Sequence, residues 1–167
     1  MNARRGILGL ALAWVVACGA PDATAPDFEH PDLDGRVVRL ADLRGQVVVI
    51  DFWATWCDPC VFQPAELNAV WQRHRESGRV AVLGIEVGGA TPDEVREWAE
   101  RHAEHGARAD YPVLVGASED LARRFGAIGF PTLAVVAPDG TIESAVAGVH
   151  SADEVEALIA PLLAPDA

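Results

Sequence analysis

Two cysteines, Cys57 and Cys60, stand two residues apart in the stretch WATWCDPC. That spacing serves a redox couple, half of a metal clip, or a structural staple. A zinc site would need two further ligands. No second C-x-x-C follows; His102 and His105 lie three apart on a segment remote in sequence, and His30, His74 and His150 stand alone. Redox chemistry needs a thiolate, and a helix N-terminus provides one: its unpaired amides and dipole favour an anion. Placed there, Cys57 attacks a substrate disulfide. Cys60, one turn on and more buried, then expels the captured partner.

The flanking sequence builds that helix start. Val47 to Phe52 (VVVIDF) is a short, β-branched apolar run, which predicts a strand covered on both faces. After Cys57, Leu67, Val70 and Trp71 recur at helical spacing, closed by Gly78. Val80 to Val87 predicts a second buried strand, broken only by Glu86. Thr91-Pro92-Asp93-Glu94 reads as a capping box opening a helix through Val95, Trp98, Ala99 and His102, and Ser151-Ala152-Asp153-Glu154 opens a last helix with Val155, Leu158, Ile159 and Leu162 on one face. Between them the pattern predicts a strand over Tyr111–Val115, a helix from Ser118 to about Phe125, and strands Thr132–Ala137 and Ile142–Ala147 joined at Pro138-Asp139-Gly140. Upstream, Asp34-Gly35 marks a hairpin whose second strand is Arg36–Leu40. The order β-α-β-α-β-α-β-β-α predicts an α/β fold: a central mixed β-sheet flanked by helices on both faces, with an N-terminal β-hairpin extension.

Composition narrows the partners. The chain has 167 residues, half of them apolar, enough for one domain with a real core. The formal charge is −12, every positive side chain other than histidine is arginine, and no basic stripe exists, so nucleic acid is excluded as a partner. Arg4 and Arg5 precede a twelve-residue apolar run, Gly6 to Ala17, too short to span a bilayer comfortably. It ends Val15-Val16-Ala17-Cys18, which resembles a bacterial lipobox and implies cleavage before Cys18 and lipidation of its thiol. An ordinary secretory signal and an uncleaved anchor are the other readings. The expected organisation is a signal peptide over 1–17, a lipidated cysteine and flexible tether over 18–27 (GAPDATAPD after Cys18), and the folded domain over 28–167.

The run from Val49 to Cys60, VIDFWATWCDPC, resembles the active-site segment of the thioredoxin superfamily. The wider frame resembles the TlpA/ResA-like membrane-anchored thiol-disulfide oxidoreductases: Phe28 with Pro31-Asp32-Leu33-Asp34-Gly35, Leu40 with Leu43-Arg44-Gly45, the FWATWC block, Gly129-Phe130-Pro131-Thr132, and Pro138-Asp139-Gly140. Together these pieces cover residues 28 to about 163. The resemblance implies a thioredoxin fold in which Pro131 is a cis-proline beside the active cysteine and Phe130 supplies the edge that pairs with the substrate chain. Trp56 would shield and shape the sulfur site, and Pro59 would fix the helix start. Asp58 has two readings, a charge opposing the Cys57 thiolate or simply a suitable helix-start residue. Asp51 matches the buried acid that exchanges a proton with Cys60, the alternative being a solvated or arginine-paired side chain. Glu86 is the second acid candidate, the alternative being an exposed strand-end residue.

Function follows as an expectation. The chain is an extracytoplasmic, monomeric thiol-disulfide oxidoreductase needing neither metal nor cofactor. It reduces disulfides of exported proteins, for example in cytochrome c maturation, is recharged by a membrane electron donor, and is held at the membrane by its lipid. The alternatives are a lipoprotein binding module whose C-x-x-C is a structural disulfide, and a thioredoxin-like peroxidase. Against the peroxidase, Ala54 stands where such enzymes carry a threonine, and against a copper-insertion relative the cysteines are one residue too close.

Overall fold

A computed structural model describes residues 24–163. The segment read as a signal peptide, Cys18 and the first part of the expected tether lie outside the described residues. Seven strands form two sheets. The first is a hairpin, β1 (Glu29–Pro31) against β2 (Val37–Arg39), antiparallel. The turn between them is fixed by Asp32, whose Oδ1 accepts the amides of Asp34 and Arg36, and by Gly35 at φ +81°. The second sheet has the order β5-β4-β3-β6-β7, with β3 (Val47–Trp53), β4 (Val80–Glu86), β5 (Val113–Leu114), β6 (Thr132–Val136) and β7 (Ile142–Ala147). β4 runs parallel to its neighbours β3 and β5, while β6 is antiparallel to both β3 and β7. The helices are α1 (Gln63–His74), α2 (Pro92–Arg101), α3 (Glu119–Arg124) and α4 (Ala152–Leu163). The expected mixed sheet, flanking helices and N-terminal hairpin are all present.

Strand alternation divides the core in two. Val47, Val49 and Trp53 of β3 pack with α1, α2 and α4 through Leu67, Val70, Val95, Trp98, Val155 and Ile159. Val48, Ile50 and Phe52 face the other way, onto Phe28, Leu40 and the α3 residues Leu121 and Ala122, with Phe125 just beyond. All seven β3 residues are buried, as the unbroken apolar run predicts for a central strand. Both expected capping boxes form: Thr91 with Glu94, and Ser151 with Glu154.

Two features differ from the sequence reading. The strand expected over Tyr111–Val115 shrinks to Val113–Leu114. Pro112 has no N–H to donate, and Gly116 at φ +83° turns the chain away. The hairpin then covers part of this edge: Asp32 bridges Leu114, and the Leu33 and Val115 amides donate to Val113 and Pro31. Second, residues 24–27, assigned to the tether, already lie against the sheet. Thr24 bridges Thr141, the Ala25 amide donates to Gly140 at 2.9 Å, and Ala25 is buried. Asp27 accepts the amides of Phe28 and Ala41.

Candidate active site

β3 delivers the chain to the site. Its last residue, Trp53, is followed by a tight turn in which the Cys57 amide donates to Ala54. Asp58–Phe62 form a 3-10 turn that runs directly into α1, with Cys57 as its N-cap. Prolines at positions 59 and 64 are tolerated because first-turn amides have no intrahelical acceptor. Cys57 and Cys60 are joined by a disulfide with Cα atoms 5.4 Å apart. Cys60 is the more enclosed, 1% exposed against 6% for Cys57. Asp58 is exposed.

Two aromatics stand at the mouth. Trp56 is 60% exposed, and its ring meets that of Phe130 edge-on at 5.7 Å between centroids. Phe130–Pro131 is a cis peptide, as expected, and enters β6 directly. The Pro131 carbonyl accepts the Gly148 amide at 2.8 Å, and Thr132 Oγ1 donates to Gly129. Phe130, by contrast, makes no backbone hydrogen bond with the described residues, which leaves it free to pair with another chain. The apolar residues Phe62, Ile128 and Val149 are also exposed.

Both candidate acids are buried, at 1% for Asp51 and 0% for Glu86. Asp51 points to the α1 side of the sheet, since it alternates with Val49 and Trp53, which share a core cluster with Cys60. Its Oδ1 has no hydrogen-bond partner among the described residues. Burial pushes its carboxyl up to about 8. The solvated and arginine-paired alternatives therefore fail for Asp51. The exposed alternative fails for Glu86, whose carboxylate is occupied instead: it accepts the amides of Gly88, Gly89 and Ala90 at 2.9, 3.1 and 3.0 Å. That fixes the loop leaving β4, and the loop in turn fixes Trp56. A Cβ on Gly88 would stand 2.7 Å from Glu86 Oε1, 2.8 Å from Trp56 Nε1 and 2.9 Å from Ala54 Cβ. Only glycine fits beneath that indole.

Three residues of the site were not anticipated. Gln63, fully buried, donates from Nε2 to the His150 carbonyl at 3.0 Å and accepts the His150 amide at 2.8 Å, which ties the start of α1 to the loop before α4. A polar residue one turn beyond Cys60 was the available signal. Gly88 was visible only as half of a Gly-Gly pair. Tyr111, the only tyrosine in the chain, is buried, and its hydroxyl is held well above the usual range by burial first, then by the charges of Asp51 and Asp110. His105 stands beside the site, its ring 5.5 Å from that of Phe62 and 6.5 Å from that of His102.

Residues 21–145 match the model of the AhpC/TSA family. The thiol-disulfide oxidoreductase ResA of Geobacillus thermodenitrificans is 28% identical over 137 residues, covering 82% of this chain and 75% of that protein. Among solved structures, a thiol:disulfide interchange protein of the thioredoxin family from Chlorobium tepidum is similar with a TM-score of 0.71 at 25% identity, over 88% of this chain and 100% of that one. The pneumococcal exposed lipoprotein thioredoxin Etrx1 of Streptococcus pneumoniae is similar with a TM-score of 0.66 at 27% identity, over 82% of this chain and 100% of that one.

Proposed function

We propose that this chain, which belongs to the AhpC/TSA family and whose relatives are thiol-disulfide oxidoreductases, reduces disulfides of exported proteins outside the cytoplasm. One observation carries the reading: a C-x-x-C disulfide at the mouth of a helix, between an exposed tryptophan and the free backbone of Phe130, with a buried acid on the strand that leads to it.

In the reduced enzyme, Cys57 is the nucleophile. Its thiolate attacks one sulfur of the substrate disulfide; a Cys57–substrate bond forms and the other substrate sulfur leaves as a thiolate, taking a proton from water. Asp51, in its ionised form, accepts the Cys60 proton. The Cys60 thiolate then attacks Cys57, closing the Cys57–Cys60 disulfide and expelling the second substrate sulfur as a thiolate, which is protonated by water while Asp51 returns its proton to solvent. Raised to about 8 by burial, Asp51 is a far better proton acceptor than an ordinary carboxylate, which suits it to a thiol. Phe130 pairs with the substrate backbone, Pro131 and Trp56 bound the groove, Pro59 fixes the helix start, and Glu86 holds Trp56 through the loop at Gly88. Exposed Asp58 serves the helix start. A membrane dithiol donor returns the two electrons. The protein acts as a monomer, tethered by a lipid on Cys18, and the disulfide of an apocytochrome c is one fitting substrate. The exposed lipoprotein thioredoxin among the similar structures supports the location.

The test is insulin reduction by the reduced domain. Cys57→Ser abolishes turnover, and Cys60→Ser accumulates a mixed disulfide with substrate that mass spectrometry detects. Absence of both turnover and any trapped species would mean the disulfide is a structural staple.

A further inference from the structure

Beside Asp51, on the α1 and α2 side of the sheet, lies a cavity of about 580 Å³ that opens between α2 and the segment before β5. That is the size of small-molecule sites. Trp53, Trp71, Trp98 and Tyr111 wall it, and Asp51 lies at its floor; the enclosed Oδ1 of that carboxyl has no hydrogen-bond partner among the described residues. Gly84, opposite Asp51 in the β3–β4 register, lets three of the wall side chains pack close: a Cβ there would stand 3.4 Å from Trp53, Tyr111 and Val113.

Aromatic faces and a desolvated carboxyl are surroundings that a cation completes: the ring quadrupoles present their negative side, and the acid gains the counter-charge it lacks. The protein does not supply that cation. At the rim, Arg108 is bound to Glu100, Arg96 to Asp93 and Asp34, and Arg36 to Asp34. The other rim acids are also engaged, Asp32 by backbone amides and Asp110 by Gln72. α1 contributes only Pro64 and Trp71 to the lining, Cys60 is held in its disulfide, and the chain has no lysine. The rim is thus close to neutral and admits a cation, while an anion would meet Asp51.

We propose that this cavity binds a small primary organic ammonium ion, its N–H donating to the Asp51 carboxylate at the cavity floor and its methylene groups lying on the tryptophan faces. Occupancy keeps Asp51 ionised and so alters its exchange with Cys60; that last step rests on the functional reading above, whereas binding itself does not. Affinity rises with pH, about tenfold per unit while Asp51 is mostly protonated, and levels off above about 8. Tyr111 stays protonated across this range, because its hydroxyl is raised well above its ordinary value.

Oxidised protein, without any thiol substrate, is titrated with n-butylammonium chloride at constant ionic strength while tryptophan fluorescence is followed, with n-butanol as the uncharged counterpart. The expected result is saturable binding at least about tenfold tighter than butanol's, strengthening with pH, abolished in Asp51→Asn and weakened in Ala99→Leu, which adds bulk to a lining residue but keeps the acid. Equal binding of the two probes, a flat pH profile, or unchanged affinity in Asp51→Asn overturns the proposal. Circular dichroism establishes that each variant folds; should Asp51→Asn not fold, the butanol comparison and Ala99→Leu decide. The readout needs no electron transfer, so its failure is separate from failure of insulin reduction.

Discussion

Asp51 carries the clearest physical signature of any single residue. Its carboxyl is pushed up to about 8 in the fold and sits near 3.9 in an unfolded chain. Between those values the folded state holds a proton that the unfolded state has lost. Stability from this group is therefore complete below about pH 4 and falls as pH rises toward 8, by roughly 1.4 kcal/mol per unit. Asp51→Asn removes that slope. Urea unfolding of both proteins across this range checks it, and parallel curves would contradict the burial argument. In single-turnover measurements the release step should accelerate with pH through about 8 in the native enzyme and lose that inflection in Asp51→Asn. The Cys57–Cys60 pair was legible from residue type and spacing, whereas the cis bond at Pro131 was legible only through the resemblance carried by Gly129-Phe130-Pro131-Thr132. The state of Asp51 was only half legible: an acid inside an apolar run announces burial, but whether an arginine reaches it depends on tertiary packing. Glu86 was ambiguous for the same reason, since three backbone amides can satisfy a carboxylate and no sequence pattern announces them.

The secondary elements were read most securely where local chemistry dictates them. Thr91 and Ser151 are followed by Glu94 and Glu154, and the reciprocal bonds form in both places. The β5 strand was over-read because apolarity does not reveal that its neighbour supplies only two pairing positions, Gly84 and Ile85. Gln63 lies at the other extreme, a polar side chain sealed inside a helix start. Its two bonds to His150 join α1 to α4 across 87 positions of sequence. Gln63→Leu keeps the bulk but strips both partners from the His150 backbone, which should cost about 2 kcal/mol. Chemical denaturation reads this directly, and an unchanged midpoint would mean that water replaces the amide without loss. Because α1 also carries the disulfide, the same variant should shift the reduction potential of Cys57–Cys60, measured against glutathione.

At the scale of the whole molecule, the alternation of strands and helices along the chain was enough to specify a mixed sheet covered on both faces. What alternation does not convey is how far the domain extends toward its N-terminus, because GAPDATAPD has the composition of a linker and only contact with the β6–β7 turn reveals that its last residues are packed. If Cys18 carries the lipid, Cys18→Ser moves the protein from the membrane fraction to the soluble fraction without changing insulin reduction; persistence in the membrane fraction would point to an uncleaved anchor. The packed segment has a geometric consequence. Thr24 is pinned at Thr141, and since β6 runs antiparallel to β3, that turn stands at the Val47 end of the sheet, while the disulfide follows Trp53 at the other. The seven residues of β3 separate the two poles by about 20 Å. The six peptide steps from residue 18 to residue 24 reach at most about 20 Å. A lipidated chain would hug the bilayer with its sulfurs turned outward, greeting clients that arrive from solution and obliging any electron donor embedded in the lipid to extend past the full height of the domain.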